Sequence, residues 1–185
     1  MIICITGMPG AGKSSVVEIL KKKRLRTIEM REPIIDMMRK EKLRVTNRST
    51  REFSTEMRKR NGNDIVARLV VEKINREYGG GTGRDLVIAG VRGTSEIRVF
   101  RKVFNGKMVV VNVSAPVKTR FMRLKTRGRE DDPKTLRGFE YRERTETGWG
   151  LSEAIKEADY IILNTGSMQD LRNNVEEFMK TVKSG

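Results

Sequence analysis

Residues 7–14 restrict the fold of this chain more than any other segment. They read Gly-Met-Pro-Gly-Ala-Gly-Lys-Ser and match the pattern G-x-x-x-x-G-K-[ST] at every required position. An apolar run at 2–5 comes directly before them, and Val16, Val17 and Leu20 follow with the spacing of one helix face. A loop between a strand and a helix can point successive N–H groups inward at an anion. The sequence therefore predicts a strand–loop–helix unit that binds phosphate.

The loop and the first turn of its helix carry the predicted contacts with ATP. The helix N-terminus adds a partial positive charge of about half an elementary charge. Lys13 is expected to bridge the β- and γ-phosphates and so to act in catalysis, and the Ser14 hydroxyl is expected to hold the Mg²⁺ that accompanies ATP. The predicted ATP-binding residues of this segment are Gly7, Met8, Pro9, Gly10, Ala11, Gly12, Lys13, Ser14 and Ser15.

The other apolar runs indicate the fold class. The runs at 86–89, 108–113 and 160–163 are apolar at every position except Asn112, and such runs are typical of strands covered on both faces. The segment 27–30 alternates, which favours an edge strand. Helical patterns lie between these runs, and strands that alternate with helices predict an α/β fold with a parallel sheet. A length of 185 residues fits one domain, 1–185.

Composition and charge limit the classes of function. The net charge of +15 suits nucleotides, nucleic acid or adaptation to heat, but aromatic residues make up only 5%, so platforms for base stacking are scarce. Nucleic-acid binding is therefore an alternative that the sequence does not favour. The single cysteine, Cys4, is expected to be buried and inert. No apolar run approaches the roughly 20 residues of a membrane helix, and no signal-peptide pattern opens the chain. We expect a cytoplasmic protein.

A dense group of cations follows the apolar run at 108–113. Five of the ten residues from Arg120 to Arg129 are basic, and they would repel one another on an isolated helix. Triphosphate oxygens could neutralise them, and a cationic segment that closes over the phosphates would also exclude water. We therefore predict an arginine-rich lid at about 120–145. The alternative is a basic helix face in contact with solvent.

Several motifs, in this order, resemble one family of kinases. The segment Arg129-Glu130-Asp131-Asp132 resembles the lid signature of adenylate kinases, and Gly90-Val91-Arg92 resembles their acceptor-binding Asp-Gly-Phe-Pro-Arg. The segment 158–162 with Asn164 is similar to the last strand and base-contacting loop of dephospho-CoA kinases. Over roughly residues 1–180, the ordered set is most similar to the archaeal adenylate-kinase-related family, also described as dephospho-CoA-kinase-like.

This resemblance implies a P-loop NTPase fold with three α/β/α layers, a five-stranded parallel sheet in the order 2-3-1-4-5, and a mobile acceptor-binding helical segment at about 31–62. It also implies roles for individual residues. The catalytic arginines would be Arg92, Arg127, Arg129 and Arg142. On the ATP side, Arg123 would belong to the lid, Arg120 would stack on or near the adenine, and Thr165 and Gly166 would lie beside the base. The acceptor-binding residues would be Arg31, Glu32, Arg58 and Arg92.

The chain departs from the family pattern at two places. The family has an acid before Gly-x-Arg that orders Mg²⁺, and Ala89 stands there; Asp85 lies at the opposite end of the same strand. After the second strand, relatives carry a glycine and then an acceptor-side arginine, where this chain has Arg31 and Ile35. The sequence therefore supports nucleotide binding more strongly than fast turnover.

Three functions remain open from the sequence. The first is transfer of the ATP γ-phosphate to a nucleoside monophosphate, AMP being favoured, which requires no general base. The second is phosphorylation of a hydroxyl, as on dephospho-CoA, which requires an acid–base residue; Glu32 is the candidate. The third is a nucleotide-binding switch or RNA-associated ATPase.

Overall fold

The computed structural model describes residues 1–79, 85–105 and 108–184, and within them the five predicted strands form one parallel sheet. The strands are β1 (Ile2–Thr6), β2 (Arg26–Glu29), β3 (Leu86–Ala89), β4 (Met108–Ser114) and β5 (Tyr160–Leu163). Their order is β2-β3-β1-β4-β5, and each pairing is parallel. The predicted fold class, strand order and edge position of β2 are confirmed.

Helices connect the strands and cover the sheet. They are α1 (Lys13–Lys22), α2 (Glu32–Lys40), α3 (Asn47–Asn61), α4 (Ile65–Tyr78), α5 (Thr94–Phe104), α6 (Val117–Arg127), α7 (Leu136–Thr147), α8 (Leu151–Lys156) and α9 (Met168–Ser184). Among the described residues, no helix combines the length and apolar character that crossing a membrane requires.

The alternation of side chains along β1 divides the core between the two faces of the sheet. Ile2 and Cys4 face one layer, where α4 and α5 pack, and Ile3 and Ile5 face the other, where α1 and α9 pack. All four side chains are buried. Burial raises the pKa of the Cys4 thiol, which keeps it in the unreactive neutral form.

The position of β1 also determines where a ligand can bind. β1 lies next to β4, and the connection from β1 runs to β2 at one edge of the sheet, whereas the connection from β4 runs to β5 at the other edge. In open parallel sheets, ligands bind at this switch point, beyond the carboxyl ends of the strands. Asp85 lies at the other end, where its carboxylate accepts a 2.8 Å hydrogen bond from the amino group of Met1. Asp85 therefore cannot replace the Mg²⁺-ordering acid of the family pattern, whose position Ala89 occupies.

Candidate active site

The loop after β1 has a backbone conformation that requires glycine. Gly10 and Gly12 have φ angles of +79° and +100°, in the left-handed region that residues with a Cβ rarely adopt. A Cβ on Gly10 would lie 2.5 Å from the carbonyl oxygen of Arg120, and one on Gly12 would lie 2.0 Å from Nδ2 of Asn164. The loop is therefore packed closely against the elements beside it. α1 begins at Lys13, so its N-terminus faces the loop.

Lys13 lies where the P-loop motif predicts the phosphate-binding cation. Its Nζ donates hydrogen bonds to the carbonyl oxygens of Gly7 (2.5 Å) and Met8 (3.0 Å). Burial lowers its pKa to about 8; Arg92, Arg142 and Arg120 also lower it, and Glu146 opposes them. In the free protein, Lys13 is therefore mostly protonated at pH 7 and loses its proton as the pH rises through about 8.

This pKa predicts how nucleotide affinity varies with pH. A triphosphate binds best to protonated Lys13, so affinity should fall as the pH rises above about 7. Between pH 7 and pH 9 the expected loss is about tenfold, because the protonated fraction falls by that factor when the pKa is about 8. Calorimetric titration of MgATP at constant ionic strength measures it. The Lys13→Ala variant should lack this dependence; an equal fall in the variant would contradict the assignment.

Asn164 connects the loop to the end of β5 and to α6. Its Nδ2 donates to the carbonyl oxygen of Ala11 (2.8 Å), and Arg123 Nη2 donates to its Oδ1 (3.1 Å) and to its backbone oxygen (3.2 Å). Thr165 and Gly166, predicted to lie beside the base, follow it and are exposed. The structure therefore brings Arg123, Thr165 and Gly166 to the same side of the loop.

Arg120 has a different place from the one expected. It is only 5% exposed, its Nη1 donates to the carbonyl oxygen of Pro9, and it pairs with Glu143. Its guanidinium lies 5.4 Å from the ring centre of Phe139. The structure does not support the prediction that Arg120 stacks on or near the adenine, because its Nε and Nη1 donate to the protein and Phe139 lies beside the guanidinium. Instead it joins the loop to α7.

Arg58, expected to bind the acceptor, is also enclosed. Arg58 and Glu96 are 6% and 1% exposed, and Arg58 Nη2 lies 2.9 Å from Glu96 Oε1. The other Glu96 oxygen accepts the backbone N–H of Arg92 at 2.8 Å. Both arginines lie over the ring of Trp149, at 5.3 and 5.5 Å. Arg58 is therefore not free for a ligand, and the pair holds the loop that carries Arg92.

Two arginines of the predicted lid segment, Arg127 and Arg142, are held by a carboxylate of the same segment. Arg127 donates two hydrogen bonds to Asp132, at 2.8 and 2.5 Å, and Arg142 Nη1 donates to it at 3.0 Å. Burial alone would raise the pKa of Asp132, but hydrogen bonds from Arg127 and from the Arg129 amide hold it below its ordinary value. The Arg129 side chain is exposed. Among the five predicted cations, Arg127 and Arg120 thus have carboxylate partners within the protein.

Glu146 lies between the lid arginines and the loop after β1. It is 4% exposed, and its two oxygens lie 3.4 Å from Arg92 Nε and 3.5 Å from Arg142 Nε. Burial favours its neutral form, but Arg92, Lys13 and Arg142 together hold its pKa below the usual value. Glu146 is therefore an ionised, buried carboxylate close to Lys13.

A cavity of about 580 Å³ opens between α3 and α7, and Trp149 also lines it. This volume is typical of small-molecule sites. The side chains of α3 and α7 that line it include Arg51, Thr55, Lys59, Tyr141, Arg142 and Glu146. Glu146 of the cavity lining pairs with Arg92, and the preceding Val91 carbonyl oxygen accepts a 2.8 Å hydrogen bond from Thr6, the last residue before the loop. The cavity therefore adjoins the loop after β1.

Comparisons with known proteins agree with this geometry. A family model described as an AAA domain matches residues 3–148. A UPF0200 protein of Thermococcus onnurineus is 34% identical over 183 residues and covers 98% of both chains. This chain belongs to the UPF0200 family and contains an AAA domain. Related UPF0200 proteins come from other archaea, such as Methanosarcina mazei, at 32% identity over 96% of this chain and 93% of the relative.

Solved structures share the fold of this UPF0200 family member. Shikimate kinase from Bacteroides thetaiotaomicron superimposes with a TM-score of 0.65, at 14% identity, over 99% of this chain and 98% of that one. At these identities the likeness is one of fold, that of P-loop kinases. The closer resemblance to adenylate kinases and dephospho-CoA kinases remains a prediction.

Two residues predicted to bind the acceptor lie outside the cavity of this UPF0200 family member. Arg31 is exposed, and its guanidinium binds Glu29 (2.6 Å) and Asn47 (3.2 Å). Glu32 opens α2 and accepts the backbone N–H of Glu29 at 2.8 Å. Neither residue lines the cavity. Both lie at the start of α2, whereas the cavity is lined by α3, α7 and residues next to α7. The structure brings neither residue to the cavity, and their role in acceptor binding stays a prediction.

Sequence reasoning did not identify Glu96 or Glu146. Both are acids within helical patterns, where a carboxylate is usually exposed. The spacing of Arg142 and Glu146, four residues apart on α7, was a local signal of an ion pair. No such signal exists for Glu96, whose partner Arg58 is 38 residues away.

Proposed function

We propose that this chain is an ATP-dependent phosphotransferase that transfers the γ-phosphate of ATP to a small nucleotide held in the cavity between α3 and α7. The observation that carries the proposal is the junction of a complete phosphate-binding loop with a cavity of ligand size. Lys13 serves the donor side of this junction, and Arg92, Arg142 and Glu146 surround it.

The donor side fits a nucleotide that carries Mg²⁺. Within the described ranges there is no group of three or more His, Cys, Asp or Glu side chains that could hold a metal ion alone. Mg²⁺ needs no such group, since it is commonly bound by one or two protein oxygens together with substrate phosphates. Ser14, exposed beside Lys13, would supply the protein oxygen. The ion would supply positive charge to the phosphates, while Lys13 and the loop amides orient them.

The acceptor side fits a molecule that carries phosphate. Arg51 and Arg142 line the cavity, and Arg92 lies beside it against Glu146 and Trp149. Guanidinium groups bind phosphate oxygens in a bidentate manner. A small nucleotide would place its phosphate among these arginines. Either its phosphate, as in AMP, or one of its hydroxyls, as in dephospho-CoA, could receive the γ-phosphate.

A screen for phosphoryl transfer tests the proposal. The purified chain is incubated with MgATP and, separately, with AMP, CMP, UMP, GMP and dephospho-CoA, and products are followed by ³¹P NMR. We expect ADP together with a newly phosphorylated form of at least one acceptor, and no transfer by Lys13→Ala. Binding of MgATP without transfer to any acceptor would contradict a kinase and favour a nucleotide-binding switch.

A further inference from the structure

We propose that the acceptor reacts through a hydroxyl group, and that the Glu146 carboxylate, which lines the cavity between α3 and α7, accepts the proton of that hydroxyl. The inference rests on the proposed function, since it concerns the second substrate of the same transfer. It assigns the acid–base role to Glu146 on α7, whereas the sequence predicted Glu32, at the start of α2, for that role.

Glu146 has the contacts of a carboxylate that can still accept a hydrogen bond. Its ion pairs with Arg92 and Arg142 measure 3.4 and 3.5 Å, longer than the 2.7–3.2 Å of ordinary hydrogen bonds from nitrogen. These contacts keep the group ionised and oriented without using its lone pairs fully. An acceptor hydroxyl in the cavity could therefore donate to it.

Glu146 is also the cavity carboxylate that reaches the donor side. It pairs with Arg92, and the carbonyl oxygen of the preceding residue, Val91, accepts a 2.8 Å hydrogen bond from Thr6 just before the phosphate-binding loop. Glu146 is the acid whose charge acts on Lys13, and Lys13 in turn acts on it. Asp132 uses both of its oxygens to bind Arg127 and Arg142. Glu32 accepts a backbone N–H outside the cavity, and β3 ends in Ala89. Glu146 thus lies between the loop that binds the γ-phosphate and the cavity that admits the acceptor.

The charge of the cavity favours a neutral reacting group. Four carboxylates line it, those of Glu52, Glu56, Asp131 and Glu146, against three cations, those of Arg51, Lys59 and Arg142. A phosphate that approached the γ-phosphate beside Glu146 would meet a buried like charge in a site of low dielectric. A hydroxyl carries no charge and gains a hydrogen bond from the same group. An acceptor phosphate could still bind further out, at Arg51.

The step balances without another reactant. The acceptor oxygen forms a bond to the γ-phosphorus of ATP, and the bond from that phosphorus to the β–γ bridging oxygen breaks. The hydroxyl proton passes to Glu146, and the bond electrons leave with ADP, whose charge Lys13 stabilises. The product is a phosphate monoester, and Glu146 then loses its proton to solvent.

The test compares Glu146→Gln with Glu140→Gln, an exposed acid on the same helix. Each full-length chain is assayed with MgATP and three acceptors, namely adenosine, dephospho-CoA and AMP; hydrolysis of ATP is measured too, since water is the smallest hydroxyl acceptor. ³¹P NMR separates a phosphate ester from a diphosphate. Calorimetry gives the Kd for MgATP. The Glu146→Asp variant, which keeps the ion pairs' charge, serves if the glutamine variant does not fold.

We expect an ester product, and a kcat for transfer or hydrolysis that falls about 100- to 10,000-fold in Glu146→Gln, the usual effect of losing a general base. The Kd for MgATP should be nearly unchanged, because the loss of a negative charge favours the triphosphate while the further lowering of the Lys13 pKa opposes it. Glu140→Gln should stay within about twofold of the unmodified chain, and Glu146→Asp should lower kcat at least about tenfold at unchanged Kd.

Three results would overturn the inference while leaving the proposed function intact. One is a diphosphate formed from AMP as the product. The second is full turnover by Glu146→Gln. The third is a parallel loss of MgATP affinity and kcat, which would make Glu146 a residue that only positions Arg92 and Arg142. Failure of the unmodified chain to bind MgATP would instead overturn the proposed function, and the inference with it.

Discussion

Replacing Lys13 by alanine is expected to weaken MgATP binding about 10- to 100-fold and to reduce phosphoryl transfer below detection. A charged hydrogen bond contributes about 1.5–3 kcal/mol, which corresponds to this range of affinity. Transfer suffers more than binding, because charge develops on the phosphates in the transition state and Lys13 stabilises it there. Calorimetry measures the first effect, and formation of ADP measures the second.

The matched control is Lys22→Ala, at the exposed end of the same helix. It should leave both quantities unchanged. The Lys13→Ala chain should unfold at an equal or higher temperature than the unmodified chain at pH 7, because burial and neighbouring arginines disfavour the lysine charge in the fold. A folded Lys13→Ala chain with normal transfer would refute the assignment of the phosphate-binding loop.

Replacing Glu96 by alanine is expected to lower the free energy of unfolding by about 3–5 kcal/mol, the usual cost of leaving a buried charge without its partner. Arg58 would stay at 6% exposure with no carboxylate, and the backbone N–H of Arg92 would lose its acceptor. Denaturant unfolding followed by the fluorescence of Trp149, the only tryptophan, measures the change.

The control is Glu52→Ala, which removes an exposed ion pair with Arg48 and should cost at most about 0.5 kcal/mol. Adding Arg58→Met to Glu96→Ala should recover much of the loss, because the uncompensated charge is then gone. An effect of Glu96→Ala as small as that of Glu52→Ala would show that water reaches Arg58 and that the pair does not hold the Arg92 loop.

Local patterns were sufficient to predict the strands and the fold class. Apolar runs at 86–89, 108–113 and 160–163 became the central and carboxyl-terminal strands, with ends within one residue of those observed. The Gly-rich loop and α1 follow from a motif whose chemistry is complete within eight residues, 7–14. The strand order came from the family resemblance, because a parallel sheet does not encode its neighbours in any one segment.

Local patterns did not predict which arginines pair with carboxylates of the same chain. The sequence predicts that Arg58 and Arg120 bind ligands, because a run of basic residues does not show which carboxylates will pair with it in the fold. Their carboxylates, Glu96 and Glu143, are 38 and 23 residues away and reach them only when α3, α5, α6 and α7 pack together. The fold therefore decides which cations are neutralised internally and which remain for phosphate.

The sequence by itself determined the sheet, the phosphate-binding loop and the role expected of Lys13, because each depends on the spacing of neighbouring residues. Only the tertiary structure decided that Glu146 pairs with Arg92 and Arg142 and that a cavity forms between α3 and α7. The physical reason is that burial and charge pairing are properties of the packed chain. A carboxylate acquires its partners, its pKa and its access to substrate from elements that are distant along the sequence.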